Sequence, residues 1–363
     1  MAVTNDLVTD RRVMRHATAL REVGYDVTLL GRNELRVRSR KGWQFYAEYN
    51  LRLWWRLLRT KCDVMWANDT DTLLGSYVAS RMKRKKLVMD AHELFPEVPE
   101  LVGREKVKKV WERIERKLMP KCDLLFTVCQ SIADYYKEKS GVEMTVVRNI
   151  SDERGLMSDE LAAAPRRSSL ITHHSSLHTL LYQGAVNLGR GVDWAIDALE
   201  FLPDCRLVVA GGGDLLEEMK RYAQSKPWAE RIEFTGRLTP EELVRLTPKA
   251  SVGLVMLEDM GLNYHYALPN RIGDFVAAGV PMVVSNLPEM AAVVRRFDIG
   301  AIMDGTGAQA LAKAVEKVLK RVWSENDFAE ARKDMDWERE KEKLICAVRD
   351  LMAAPSNEHK SEN

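Results

Sequence analysis

Residues 180–236 read LLYQGAVNLGRGVDWAIDALEFLPDCRLVVAGGGDLLEEMKRYAQSKPWAERIEFTG, and this stretch decides the fold. Three short apolar runs, LLYQG (180–184), CRLVVAGGG (205–213) and RIEFTG (231–236), alternate with VDWAIDALEFL (192–202) and DLLEEMKRYAQ (214–224). In the intervening stretches apolar residues recur at three- and four-residue intervals, the period of an amphipathic helix. Continuous apolar strands joined by helices predict a parallel sheet covered on both faces. The rhythm continues through helix PEELVRLTPKA (240–250), strand SVGLVML (251–257), helix RIGDFVAAG (271–279) and strand PMVVSN (281–286). Helices PEMAAVVRRF (288–297) and GAQALAKAVEKVLKRV (307–322) follow.

The first half carries the same pattern. YDVTLLGR (25–32), CDVMWAND (62–69), KLVMDAHE (86–93), CDLLFTVC (122–129) and MTVVRNI (144–150) read as buried strands. RVMRHATALREV (12–23), TLLGSYVASRMK (72–83), VKKVWERIERKL (107–118) and SIADYYKEKSG (131–141) read as helices. Only Ala2-Val3-Thr4 precede the loop at Asn5-Asp6, a short opening strand for such a domain. Residues 151–178 are Ser-rich, lack a sustained strand signal and read as a connection; a charged helix near 337–352 and a polar tail close the chain. Two open, doubly wound α/β domains are expected, with ligands outside the carboxyl ends of the strands and a site in a cleft between the domains.

A chain of 363 residues, 46% hydrophobic and 30% charged, has the length for two domains with cores of their own. The composition excludes a disordered or fibrous protein. No apolar run approaches the ~20 residues that span a bilayer, and the first residues lack a signal-peptide core. Five scattered cysteines without a CxxC spacing read as reduced thiols of a cytosolic enzyme. Residues 1–150 hold 29 Lys and Arg against 20 Asp and Glu, and the remainder 26 against 33. That asymmetry points to different partners for the two domains, the basic one suiting an anionic lipid surface, nucleic acid or a phosphorylated substrate. The same charges also suit solvated helix faces.

The chemistry concentrates in residues 263–281, NYHYALPNRIGDFVAAGVP. Pro269 fits the first turn of a helix, where its missing N–H is no loss. Free N–H groups at that helix start attract an anion. Asp274 lies one turn beyond Asn270 on the same face, placed to accept hydrogen bonds from a vicinal diol such as a ribose. An anion site one turn from a diol acceptor is what a nucleoside diphosphate requires, although an ordinary exposed acid on a capped helix has the same spacing.

LPNRIGDFVAAGVPMVVSNLPEM (268–290) resembles the donor-nucleotide helix of family 4 of the retaining glycosyltransferases. The likeness extends to LVTDRRVMRHATALREVGYDVTLLGR (7–32), ANDTDTLL (67–74), VMDAHELFPEVPEL (88–101), VVRNISD (146–152), YQGAVNLGRGVDWAIDAL (182–199) and FTGRLTPEEL (234–243). It covers about residues 3–352 in the family's segment order. The resemblance implies a GT-B architecture, two Rossmann-like parallel-sheet domains facing across a cleft. The boundaries it suggests are 1–165 for an acceptor-side domain, 166–178 for a linker and 179–335 for a nucleotide-sugar donor domain. Residues 336–352 would form a helix packing back on the first domain, before a disordered tail, 353–363.

The resemblance also implies roles. Asp274 stands where the family has a ribose-binding glutamate and is one methylene shorter. Tyr266 stands where a second glutamate often contacts the donor sugar, which leaves Asn263 and Tyr264 as candidates for that contact. Leu268, Pro269, Asn270 and Gly184 would complete the donor site. Ala185 occupies a position usually held by Arg, so Arg190 alone would neutralise the diphosphate, its planar fork suiting phosphate. His92 would orient the sugar, with Asn68, Asp69 and Glu93 at neighbouring strand ends on the acceptor side; Asp71 is placed similarly. These polar residues equally suit helix caps.

GGGD (211–214) lacks the GxGxxG spacing of a dinucleotide site, and THHSSLH (172–178) has no supporting acid for a metal. NLRLWWRLLRTK (50–61) suits either a helix packed on its own sheet or one lying on a membrane, or both. The expectation is a cytoplasmic glycosyltransferase, peripheral at the inner face of an anionic membrane. It would move a sugar with retention from a UDP- or GDP-sugar to a glycan or lipid-linked acceptor, with no metal, no other cofactor and no nucleic acid. A nucleotide-sugar 2-epimerase and a non-catalytic scaffold of the same fold are the rival expectations.

Overall fold

The computed structural model describes residues 1–5, 7, 10–39, 42–150 and 177–354. They form two compact units. Unit 1 comprises Met1–Asn149, Gly261–Asn263 and the described residues from Glu338 onward; unit 2 comprises Ile150–Met260 and Tyr264–Trp337. Most of the expected linker, residues 166–176, and most of the tail, 355–363, lie outside the described residues; His178 opens a strand.

In unit 1, helices α1 (Arg11–Glu22) and α2 (Gly42–Arg59) precede β1 (Val64–Asn68), α3 (Thr70–Lys83) and β2 (Lys86–Ala91). Then come α4 (Glu105–Leu118), β3 (Leu124–Thr127), α5 (Gln130–Ser140) and β4 (Thr145–Val146). The four strands lie in the order β1-β2-β3-β4, all parallel. Ala2 extends this sheet by parallel bridges to Ala67 on one side and Leu30 on the other. The sheet therefore reverses its strand order beside the first residues, where Thr4 and Asn68 end adjacent segments. Asp10 starts α1 by accepting from the Val13 N–H, and Gly141, in the left-handed region, ends α5.

The expected strand YDVTLLGR is corrected. Only Leu30 is bridged, and Asp26 and Thr28 are exposed, because this segment forms the rim of the sheet and has backbone partners on one side only. MTVVRNI likewise contributes two residues, Thr145 and Val146, to an edge strand.

Unit 2 contains β5 (His178–Gln183), α6 (Val192–Ala198), β6 (Cys205–Ala210), α7 (Leu216–Gln224), β7 (Ile232–Gly236), α8 (Pro240–Leu246) and β8 (Val252–Val255). It continues with α9 (Arg271–Ala278), β9 (Met282–Val284), α10 (Pro288–Phe297), β10 (Gly300–Ile302) and α11 (Gly307–Leu319). The all-parallel order β10-β9-β8-β5-β6-β7 reverses between β5 and β8. The central strands are largely apolar because both faces are covered, whereas the rim strand β7 is half-buried along its length. Leu180, Tyr182, Leu207 and Val209 enter the core beneath α6 and α11, while Leu181, Val208, Met282 and Val284 enter the core with Ile272 and Phe275 of α9. At Gly253 a Cβ would come within 2.7 Å of the Phe275 ring, so a glycine there lets α9 lie close on β8. The short strand β10 has no counterpart in the sequence reading; three residues, Gly300-Ala301-Ile302, give too little pattern to register.

The last helix, α12 (Trp337–Ala353), belongs with unit 1 from Glu338 onward. Glu340 is fully buried and accepts from the Arg148 backbone N–H at 2.9 Å and from its Nε at 2.9 Å. Lys341 pairs with Glu22 at 2.6 Å.

Candidate functional site

In unit 2 several of the expected donor residues gather at the carboxyl end of β5, where the strand order reverses; Asn263, expected with them, belongs to unit 1. Gln183 ends β5 and is buried; its side-chain Nε2 donates to Asp274 Oδ2 at 2.8 Å and its side-chain Oε1 accepts from Thr247 Oγ1 at 3.0 Å. Asp274 therefore sits over the strand end, its carboxylate oriented by an amide 91 residues earlier in the chain. Gly184 follows with φ +137° and donates its N–H to Ala210 O. The loop then runs through Gly189 and Gly191, both left-handed, the latter capping α6.

Arg190 lies between those glycines with its guanidinium 4.9 Å from the Tyr264 ring centre. Its Nε is buried and has no hydrogen-bond partner among the described residues. Tyr264 is buried and its hydroxyl donates to Leu188 O at 3.3 Å, so the aromatic ring and the glycine loop hold one another. Leu268 and Pro269 are half-buried and Asn270 is exposed. One expectation needs correction: α9 starts at Arg271 with Asn270 as its cap, so Pro269 precedes the cap instead of occupying the first turn. The free N–H groups expected at this helix start are corrected as well: Ile272 N–H donates to Pro269 O, and the N–H groups of Gly273 and Asp274 turn back to Asn270 O.

In unit 1 His92 follows β2 and joins a buried charge cluster. Its backbone N–H donates to Asp69 Oδ1 at 2.8 Å; Nδ1 lies 3.4 Å from Asp69 Oδ2 and Nε2 lies 3.3 Å from Asp90 Oδ2. Asp90 is fully buried and accepts twice from Arg12, at 2.6 and 3.0 Å, and His16 Nδ1 lies 3.2 Å away. Burial alone would raise the Asp90 pKa, but Arg12, His92 and His16 outweigh it and hold the carboxyl well below its ordinary range. Burial would lower the His92 pKa; Asp69 and Asp90 reverse this and raise it to about 9. His16, for which burial and Arg12 dominate, is lowered to about 4 and stays neutral at pH 7. Asp69 holds a left-handed backbone, φ +59°, unusual for a non-glycine residue, and burial raises its pKa.

Asn68 is buried and donates to Ala2 O, tying the end of β1 to the first residues. Asp71 is buried on α3, accepts from Thr4 Oγ1 at 2.7 Å, and is raised to about 8, mainly by burial and then by Asp69. Asn263, in the segment of unit 1 contributed from beyond β8, accepts from the Leu94 N–H at 3.0 Å and donates to Glu93 Oε2 at 3.2 Å. His92, Asp69, Glu93 and Asn263 thus lie around one loop of unit 1, while Gly184, Arg190, Tyr264 and Asp274 lie around one loop of unit 2. Sequence reasoning missed Arg12, His16, Asp90 and Gln183. Their partners are remote in the chain, and the one available signal was charged or polar residues inside apolar runs, as Asp90 is in KLVMDAHE.

The residues 178–321 match the family described as "Glycosyl transferases group 1", and residues 9–154 match "Glycosyltransferase Family 4". A glycogen synthase of Mycobacterium tuberculosis is 27% identical over 238 residues, 62% of this chain and 53% of that protein. A GDP-mannose-dependent alpha-(1-6)-phosphatidylinositol dimannoside mannosyltransferase of the same organism is 29% identical over 165 residues, 43% of this chain and 40% of that protein. The chain thus spans about half the length, or less, of these curated relatives. Among solved structures, a sucrose-phosphate synthase from Thermosynechococcus elongatus superposes with a TM-score of 0.73 at 16% identity, covering 94% of this chain and 93% of that one. Anabaena Alr3699/HepE in complex with UDP gives 0.66 at 14% identity, covering 92% and 88%. At such identities the superpositions establish the fold, two parallel-sheet α/β domains of GT-B type.

Proposed function

We propose, from the premise that this chain belongs to the group 1 and family 4 glycosyltransferases, that it transfers a sugar from a nucleoside-diphosphate sugar to a glycan or lipid-linked acceptor, with retention at the anomeric carbon. The observation that carries this reading is the gathering of Gly184, Arg190 and Asp274 at the reversal point of the unit 2 sheet, where such sheets bind their ligands. Asp274 would accept from ribose hydroxyls. Arg190, with an uncommitted Nε, would meet the diphosphate, aided by the positive end of the α9 dipole. In unit 1 His92 and its carboxylate neighbours suit sugar hydroxyls, which donate to carboxylates and accept from an imidazolium.

In the proposed step the bond from anomeric carbon to phosphate oxygen breaks and its electron pair leaves with the diphosphate. The acceptor oxygen bonds the same carbon, and its proton passes to the departing phosphate. Cations beside the leaving group favour this because its charge grows as the bond breaks. Every role in this reading falls to a side chain or the helix dipole, and none requires a metal or another cofactor.

Calorimetric titration with UDP, GDP and ADP tests the reading. One of the three is expected to bind with micromolar affinity, and Asp274→Ala and Arg190→Ala are each expected to weaken it by about ten- to hundredfold, the equivalent of one charge-assisted hydrogen bond. Absence of binding to all three, in folded protein, would support the non-catalytic scaffold instead.

The reading extends to a peripheral contact of unit 1 with anionic lipid. Tyr49, Leu53 and Leu57 of α2 face inward and are buried, while Trp43, Leu51 and Trp55, spaced by eight and then four residues, form a stripe exposed by 77%, 61% and 51%. Arg59 continues the stripe with its guanidinium 3.7 Å from the Trp55 ring centre, and Met82 near the end of α3, within RMKRKK (81–86), is 60% exposed. Aromatic rings flanked by cations suit the lipid headgroup layer. Among the described residues no helix is long and apolar enough to cross a membrane. Co-sedimentation is expected with vesicles containing phosphatidylglycerol and not with pure phosphatidylcholine, and Trp55→Glu should abolish it. Equal sedimentation of that variant would refute the contact.

A further inference from the structure

Arg271, the first residue of α9, is only 7% exposed, yet among the described residues it forms no ion pair. Its Nη1 donates to Gln183 O at 2.9 Å and its Nη2 approaches Met256 O at 3.4 Å. These carbonyls belong to the last residue of β5 and the first residue after β8, the two neighbouring strands between which the sheet order reverses. The guanidinium lies 4.7 Å from the Tyr182 ring centre, and its Nε is buried with no hydrogen-bond partner among the described residues. A Cβ on Gly184 would stand 3.2 Å from Nη1, so a glycine there keeps side-chain bulk off the cation. Ala185, next in the chain, offers no charge.

We infer that Arg271 is a positioning residue for the diphosphate: it neutralises the strand-end carbonyls under the glycine loop and supplies a fixed positive charge there. The inference rests on the nucleotide-binding reading given above and assigns that site a residue it did not include. The physical need is plain. Parallel strands present carbonyl oxygens at their carboxyl ends, and an acceptor-lined floor repels an anion. A guanidinium that donates to one carbonyl from each side of the reversal point turns that floor cationic, and its fork spans two acceptors where an ammonium is a single point. A buried cation with no carboxylate partner lacks compensation in the free protein, and a bound anion supplies it. The aromatic face of Tyr182 holds the guanidinium plane in the meantime.

The test separates charge from structure. Affinities for a nucleoside diphosphate and for the matching uncharged nucleoside are measured by calorimetry on the full chain, for the native protein, Arg271→Gln and Arg271→Lys, with thermal melting of each. Arg271→Gln is expected to weaken the diphosphate by about tenfold or more while nucleoside affinity holds within about twofold, and to flatten the dependence of diphosphate binding on salt. Arg271→Lys, which keeps the charge but not the fork, should weaken the diphosphate by a smaller factor with nucleoside affinity unchanged. If Arg271→Gln does not fold, the lysine variant decides on the same criterion. A parallel fall in both ligands, or no fall in the diphosphate, overturns the inference while native binding leaves the functional reading standing. Absence of native diphosphate binding overturns both.

Discussion

Asp90→Asn is expected to destabilise unit 1 by about 3 kcal/mol or more, and to lower the pKa of His92. Asp90 is fully buried between Arg12, His16 and His92, so its loss as a charge leaves the Arg12 guanidinium, 3% exposed, without its carboxylate. The asparagine keeps the shape and one acceptor, which makes the experiment a test of charge and not of volume. His92 reaches about 9 because Asp69 and Asp90 together outweigh its burial. Removing one carboxylate should bring it down by about one unit or more. The linkage has two opposite arms. The raised pKa of His92 stabilises the fold below its ordinary value and that contribution is lost as pH rises through about 9. The depressed pKa of Asp90 stabilises above its ordinary range and is lost as pH falls. Urea unfolding and imidazole NMR titration measure both effects. An unchanged His92 titration in the variant would show that the two groups do not interact.

The second large effect has the opposite sign. Glu115→Gln is expected to stabilise the protein at pH 8 by about 2 kcal/mol and to give no gain at pH 5. Glu115 is 3% exposed on α4, where its Oε1 accepts from Thr70 Oγ1 at 2.6 Å and from the Tyr136 hydroxyl at 2.9 Å. Burial is the strongest influence on it and pushes the pKa up; the two hydrogen bonds pull it back, leaving it near 7 against an ordinary 4.5. A raised carboxyl pKa contributes stability that is complete below 4.5 and is lost as pH rises through about 7. Glutamine keeps an acceptor for both hydroxyls and has no proton to lose. Its added N–H₂ removes part of the gain if it finds no acceptor. Unfolding curves at pH 5, 6.5 and 8 should therefore converge on the acid side and separate on the alkaline side. Parallel profiles would contradict the assignment of the slope to Glu115.

Much of the fold was legible because parallel strands buried on both faces leave a strong mark in the sequence. CRLVVA and KLVMDA are strands in the structure as in the reading, and VKKVWERIERKL and SIADYYKEKS lie in helices as read. The rims were not legible. Val27 and Leu30 are as apolar as central-strand residues, but backbone pairing depends on a neighbouring strand, which the local pattern does not report. For the site, the glycine spacing around Arg190 and the one-turn offset from Asn270 to Asp274 could be read locally. The amide that orients Asp274 comes from β5, and the carboxylate that charges His92 also clasps Arg12, 78 residues before it. Such pairs are made by the sheet order and follow from no spacing. Arg271 was overlooked for a related reason: on a helix it reads as one more surface cation, and only its carbonyl partners on β5 and after β8 reveal it as buried.

The division of the chain between the units bears on how the protein is made. Unit 1 needs α12, whose fully buried Glu340 clasps Arg148 from 192 residues further along. On a ribosome adding about 5–20 residues per second, Arg148 emerges about 10 to 40 seconds before its partner. During that interval the strands and helices of unit 2 are being completed, while unit 1 lacks the helix throughout and the segment Gly261–Asn263 for the first part of it. The nascent first unit therefore exposes the surface meant for α12 for most of synthesis, and it is the second unit that can finish first. Chaperone capture during translation should concentrate on the earlier-made unit, an inversion of the usual order in which the first-made domain is the first to be safe.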